Sequence, residues 1–143
     1  MPIAESHDDQ THYANVDLDI YSRSDLETLV SVFGERVMVL FSGRRKRTYE
    51  THLELSYFKR GRSYAPGPMI GMFCSLIESL DPAHRKIWDA AKRRVFCAGI
   101  QTGNLGPRST DFGIGPDVLA RAAALNAEIV FTIYAPTESA CWK

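Results

Sequence analysis

Residues 15–35 read NVDLDIYSRSDLETLVSVFGE, and two hydrophobic periods meet within them. In the first seven residues Val16, Leu18 and Ile20 alternate with Asp17, Asp19 and Tyr21, the two-residue period of a strand with one apolar and one wet face. In the remainder Leu26, Leu29, Val30 and Phe33 fall at i, i+3, i+4 and i+7, one stripe of a helix. Ser24 followed by Glu27 has the spacing of a capping box, and Gly34 supplies a left-handed stop. A one-sided strand leading at once into a one-sided helix makes a sheet with helices laid on it.

The same two periods continue along the chain. RVMVLFS (36–42) reads as a strand buried on both faces. THLELSYF (51–58) alternates again, with Leu53, Leu55 and Tyr57 inward and His52, Glu54 and Ser56 outward. The two strands are expected to form an antiparallel hairpin, with Arg44, Arg45, Lys46 and Arg47 at its tip. KRGRSYAPGP (59–68) is a loop. Beyond it Met69, Met72, Phe73, Leu76, Ile77 and Leu80 mark one helical stripe. Asp81 and Pro82 open a second helix that has Ile87, Trp88 and Ala91 inward and closes on Lys92, Arg93 and Arg94. VFCAGIQTG (95–103) is a central strand, NLGPR (104–108) a turn and STDFGIG (109–115) a short strand. Pro116 starts a last helix with Val118, Leu119, Ala122 and Leu125 inward, and EIVFTIYAP (128–136) is the last strand.

The order β-α-β-β-α(α)-β-β-α-β includes two hairpins, so the sheet is mixed or antiparallel. The expected fold is an α+β two-layer sandwich with helices on one face, partly ferredoxin-like. One domain is expected over residues 15–136, between a polar acidic tail at 1–14 and a short tail at 137–143.

The 143 residues carry 17 basic and 17 acidic side chains. A net charge of zero argues against a constitutive nucleic-acid binder. The zero hides an asymmetry. Residues 1–36 hold eight acidic against two basic groups, a charge of −6, while residues 44–108 hold thirteen basic against five acidic groups, a charge of +8. Such a dipolar chain can pair acidic with basic surface, within itself or with a copy of itself. Cys74, Cys97 and Cys141 have no disulfide-framework spacing, and Cys74 and Cys97 sit in apolar runs where a free thiol behaves as a small hydrophobe. The polar N-terminus does not read as a signal peptide, and no apolar run approaches the roughly 18 residues of a membrane span. A reduced, soluble, cytoplasmic protein is expected.

The elements NVDLDIYS-x-x-DLETLV, the hairpin ending HLELS, the helix CSLIESLDPAHRKIWDAAK and the close PDVLARAAALNAEIVFTIYAP together resemble a group of short bacterial proteins catalogued only as a domain of unknown function. The resemblance spans about residues 15–136. It implies a single-domain α+β sandwich in a bacterial cytoplasm and carries no functional residues across.

Among candidate sites the basic run stands first. Arg44, Arg45, Lys46 and Arg47, with Lys59, Arg60 and Arg62, could meet phosphate or carboxylate with guanidinium forks. A solvated hairpin end accounts for the same residues. Tyr49, Tyr57, Phe58 and Tyr64 would suit base stacking but read equally as core or edge aromatics. His7 and His12 beside Asp8 and Asp9 lack a frame for a metal. His52 with Glu54, and Asp17 with Asp19, have the chemistry of acid–base pairs, yet any strand with one wet side carries such residues. No catalytic residue, metal or cofactor is assigned. The leading expectation is a small non-enzymatic binding protein that meets a protein partner or its own copy, an immunity or accessory protein being one form. The alternatives are a nucleic-acid or nucleotide binder acting through residues 44–47, and an enzyme with a pocket between sheet and helices.

Overall fold

The computed structural model describes residues 10–56, 65–104, 106 and 109–136. The elements in chain order are β1 (His12–Ser22), α1 (Glu27–Phe33), a 3-10 turn (Gly34–Arg36), β2 (Val37–Arg45), β3 (Thr48–Leu55), α2 (Pro66–Glu78), α3 (Pro82–Ala90), β4 (Arg93–Gln101), α4 (Pro116–Ala124) and β5 (Glu128–Tyr134). Among the described residues the sheet has five strands in the order β2-β3-β1-β4-β5. β1 runs antiparallel to both β3 and β4, β2 antiparallel to β3, and β5 parallel to β4. The first four strands thus have the split β-α-β arrangement of a ferredoxin-like sandwich, and α4–β5 adds a parallel crossover unit to its edge.

The alternation of β1 sets the layers. Val16, Leu18 and Ile20 are fully buried and meet Leu53, Leu55, Phe96 and Ala98 of the neighbouring strands. Above them pack Leu26, Leu29 and Phe33 from the α1 segment, Phe73 and Ile77 of α2, Trp88 of α3 and Ala122 of α4. Each fully buried large side chain contributes roughly 1.5–3 kcal/mol, so this single core accounts for the stability of the sandwich. Asp17, Asp19 and Tyr21 point to the opposite, uncovered face.

Several local expectations change. The Ser24/Glu27 capping box does not form. Leu26 is drawn into the core and becomes the residue before α1, while the Asp25 carboxylate accepts the Glu27 N–H at 2.8 Å. Gly34 does follow the helix with a positive φ of 58°, but its ψ of −134° is an extended conformation open to glycine and not the left-handed helical stop expected. β1 begins at His12, three residues before the alternation becomes strict. β2 is not buried on both faces. It is an edge strand, and Met38, Val39 and Leu40 are 48, 49 and 51 % exposed, because helices cover one face only and nothing among the described residues lies beside it. The buried stripe of α2 is turned toward Met69, Ile70, Phe73, Cys74 and Ile77, leaving Met72 exposed; Gly71 brings the helix against Val118 and Arg121 of α4. Leu119 is exposed for the same reason, Ala122 and Leu125 taking the inward positions. The segment 109–115 is irregular rather than a strand. The far edge of β4 is taken by β5, and the segment instead lies along the start of α2, with Gly113 and Ile114 against Gly67.

Lys92, Arg93 and Arg94 do not end α3, which stops at Ala90; Arg93 and Arg94 open β4. Arg94 is 5 % exposed. Its guanidinium donates to the carbonyls of Trp88 (2.8 Å), Asp89 (2.8 Å) and Ala91 (2.9 Å) at the end of α3, and to Asn126 O (3.1 Å) beyond α4. Asn126 holds φ of 55° and closes a Schellman turn, its N–H on Ala123 O (2.9 Å) and that of Ala127 on Ala122 O (3.0 Å). Trp88 Nε1 donates to Leu125 O at 3.1 Å in the same corner.

Replacing Arg94 by Met is expected to cost about 3–5 kcal/mol in urea unfolding, because four backbone carbonyls lose the guanidinium, although Trp88 O keeps the Ala91 N–H. At the hairpin, Lys46 adopts φ of 57°, a conformation that favours glycine. Lys46→Gly is expected to gain about 0.5 kcal/mol in the same assay, relief of the left-handed penalty exceeding the added chain entropy.

Candidate functional site

The basic run occupies the end of the β2–β3 hairpin. Arg44 and Arg45 close β2, Lys46 and Arg47 form the turn, and all four are exposed. Their side chains divide between the two sides of the hairpin. The Arg44 guanidinium lies 5.7 Å from the ring centre of Tyr49, which packs on the helix side, and its Nε donates to Lys46 O at 3.1 Å. Arg45 lies 4.3 Å from the Phe41 ring centre, with its Nε 3.8 Å from a Glu50 oxygen. These two cations are partly engaged with the hairpin itself. Lys59, Arg60 and Arg62 lie outside the described residues, as do Tyr57, Phe58 and Tyr64 and the tails 1–9 and 137–143.

The uncovered face of the sheet gathers the other candidates. Register places Asp17 opposite Glu54 and Asp19 opposite His52 across β1 and β3, with Asp17 opposite Cys97 of β4. His52 Nδ1 is 2.6 Å from Asp19 Oδ1, and Nε2 is 3.3 Å from Glu50 Oε2. The neutral ring donates to only one of these carboxylates; the protonated ring donates to both. Tyr21 presents an edge-on ring 6.0 Å from the imidazole, and Phe41 lies 5.8 Å away on the other side. Asn15 Nδ2 donates to Asp17 Oδ1 at 3.1 Å. Asn15 reaches this place because residue 99 is glycine: a Cβ there would stand 2.6 Å from Asn15 Oδ1.

The cluster has a consistent electrostatic character. Burial, followed by the charges of Glu54 and Asp19, raises the Asp17 carboxyl from its usual 3.8 to about 6; His52 and the Asn15 hydrogen bond oppose the shift. Burial and then Asp17 and Glu54 push the Tyr13 phenol up, and its buried hydroxyl has no hydrogen-bond partner among the described residues. Cys97 is not the buried hydrophobe its apolar run suggested. It turns to the polar face, where Sγ donates to Asp19 Oδ2 at 3.2 Å. Burial first, then that hydrogen bond and the charges of Asp19 and Asp17, push the thiol up to about 12, and Arg93 only partly opposes this. The order of contacts is thiol–carboxylate–imidazole. A cysteine nucleophile needs the imidazole or another cation beside the sulfur; here a carboxylate holds the sulfur protonated.

The expected pocket between sheet and helices exists in part but has a different lining. A cavity of about 360 Å³ lies between α1 and the hairpin, bordered by Asp25, Glu27, Val30, Val39, Tyr49 and Glu50. His52, Glu54, Asp17 and Asp19 stand on the opposite face of the sheet. Cys74 is fully buried, in keeping with its apolar context.

No helix among the described residues is long and apolar enough to cross a membrane. Compared with known proteins, the chain matches no family model, no curated protein and no solved structure.

The raised Asp17 carboxyl fixes a direction of pH dependence. The folded protein keeps this proton to a higher pH than the unfolded chain does, so Asp17 costs no stability below about pH 4. The cost grows as pH rises toward about 6 and is constant above that. Asp17→Asn is therefore expected to match the parent in thermal unfolding at pH 4 and to exceed it at pH 7, the difference opening between these limits.

Proposed function

We propose that this chain is a small non-enzymatic binding protein that grips an acidic, extended segment of a protein partner through the β2–β3 hairpin. One observation carries the reading. The edge strand β2 exposes Met38, Val39 and Leu40 and leads directly into four exposed cations, Arg44 to Arg47. An unpaired strand edge offers main-chain N–H and C=O groups to an added strand, exposed apolar side chains bury against it, and arginine forks take carboxylates at the end. The carboxylates on the adjacent open face, Asp17, Asp19, Glu50 and Glu54, disfavour a nucleic-acid backbone laid across the sheet. The bacterial cytoplasmic setting rests on the sequence resemblance; an immunity or accessory role as the form this binding takes rests on the small size, zero net charge and motif-free sequence of the chain.

The test uses a synthetic peptide of alternating valine and glutamate, its valine–lysine counterpart and a single-stranded oligonucleotide, each titrated by fluorescence anisotropy at two salt concentrations. The glutamate peptide is expected to bind, more weakly at high salt. Arg44→Glu with Arg47→Glu is expected to lower its affinity at least about tenfold. Tighter binding of the oligonucleotide, or peptide binding indifferent to the charge reversal, would sink the reading.

A further inference from the structure

Among the described residues the opposite edge of the sheet carries a second unpaired strand of a different kind. β5 has a regular register on β4 with no bulge, and between Ile129 and Tyr134 it contains no charged residue. Phe131, Ile133 and Tyr134 are 43, 69 and 51 % exposed. Pairing with Ala98 and Ile100 places Phe131 and Ile133 on the helix side of the sheet, beyond the cover that the helices give to Ile129. Val130, Thr132 and Tyr134 share the open side with Glu128. A strand edge of this kind, with no lysine, proline or bulge to blunt it, is a template for another strand.

We infer that the occupant is β5 of a second copy of this chain, paired antiparallel about Phe131. The strand is complementary to itself in that register. On the helix side Phe131 meets its own mate and Ile129 meets Ile133, apolar against apolar. On the open side Val130 meets Thr132, and Glu128, the strand's one charge, meets Tyr134, whose hydroxyl can donate to it. Glu128 is already neutralised within its own copy by Arg93, whose Nε and Nη2 donate to the two carboxylate oxygens at 2.6 and 3.1 Å. No like charges face each other across the twofold axis.

The other edge lacks this property. Self-pairing of β2 about Leu40 would set Arg44 against Arg36, the residue just before the strand, like charge against like charge. β5 therefore closes a twofold dimer, and β2 is left for a partner of opposite charge. The product is a continuous ten-stranded sheet with a β2 edge at each end. Nine strand spacings separate those edges, about 43 Å along the sheet before twist. On the reading of the hairpin given above, the dimer is a bivalent binder.

Sedimentation equilibrium of the full chain tests the dimer without any ligand, so its outcome is independent of peptide binding. The parent is expected to show twice the monomer mass and to dissociate on dilution. Ile133→Lys, at a largely exposed position, is expected to keep the parent's circular dichroism and to raise the dissociation constant at least about a hundredfold. Met38→Lys, on the other edge, is expected to leave the dimer intact. Phe131→Cys, in a chain with Cys97 and Cys141 changed to Ser, is expected to oxidise to a covalent dimer, since directly opposed strand residues lie within disulfide reach. A parent that stays monomeric up to about 1 mM, where a contact of about 4 kcal/mol would register, overturns the inference. So does a dimer unaffected by Ile133→Lys, or one abolished by Met38→Lys instead.

Discussion

Arg94 brings a full positive charge into a corner that is 5 % exposed, and the hydrogen bonds it makes there run to backbone carbonyls. Three of these belong to the end of α3, where the helix leaves carbonyls without internal partners and carries the negative end of its dipole. The fourth belongs to the turn between α4 and β5. Burial pulls the guanidinium below the ordinary arginine value, yet arginine stays charged in proteins, so the carbonyls must hold the cation itself. One side chain on β4 therefore fixes where α3 stops, where α4 turns back and where β5 begins. Its ring contact with Trp88 and the Trp88–Leu125 hydrogen bond close the corner.

The rest of the architecture follows from helices covering one face only. The apolar half of β1 meets them; the polar half, with the polar residues of β3 and β4, forms a continuous uncovered surface. Carboxylates collect there because alternation sends them there. Once together they alter each other, raising Asp17 and holding Cys97 as a thiol. Asp17 and Asp19 from the acidic segment and Glu50 and Glu54 from the basic one thus share the sheet face, apart from the cations Arg44 to Arg47 at the hairpin end.

Much of this was legible in the amino-acid order. The alternation of β1, the helical stripe of α1, the Asp81–Pro82 helix start and the basic hairpin all depend on neighbours within a few residues, and local patterns carry such information. Asp81 does accept the His84 N–H, at 2.9 Å. What was not legible depends on strand order. VMVLF reads as doubly buried unless β2 is known to be an edge. STDFGIG reads as a strand unless β5 is known to occupy the place beside β4. The α2 stripe could be drawn through Met72 or through Ile70 and Cys74, and contact with α4 through Gly71 decides between them. Asp19 and His52 are 33 residues apart, and their 2.6 Å contact appears only when the β1–β3 register is fixed. The patterns DLD and THLE each signalled a wet face; nothing local said that the two faces were one.

Among the described residues β1 is the first strand and the middle strand of the sheet, and its partners come much later: Leu18 pairs with Leu53 on one side and with Phe96 on the other. During synthesis the strand that organises the core therefore waits unpaired. The β2–β3 hairpin, closed by a short turn, forms ahead of it; β1 is flanked on both sides only when β4 leaves the ribosome, and β5 joins last. The apolar residues Val16, Leu18 and Ile20 spend that interval without a cover. Asp17 and Asp19 set charges of one sign between them, which disfavours pairing of the nascent strand with its own kind until β3 and β4 arrive.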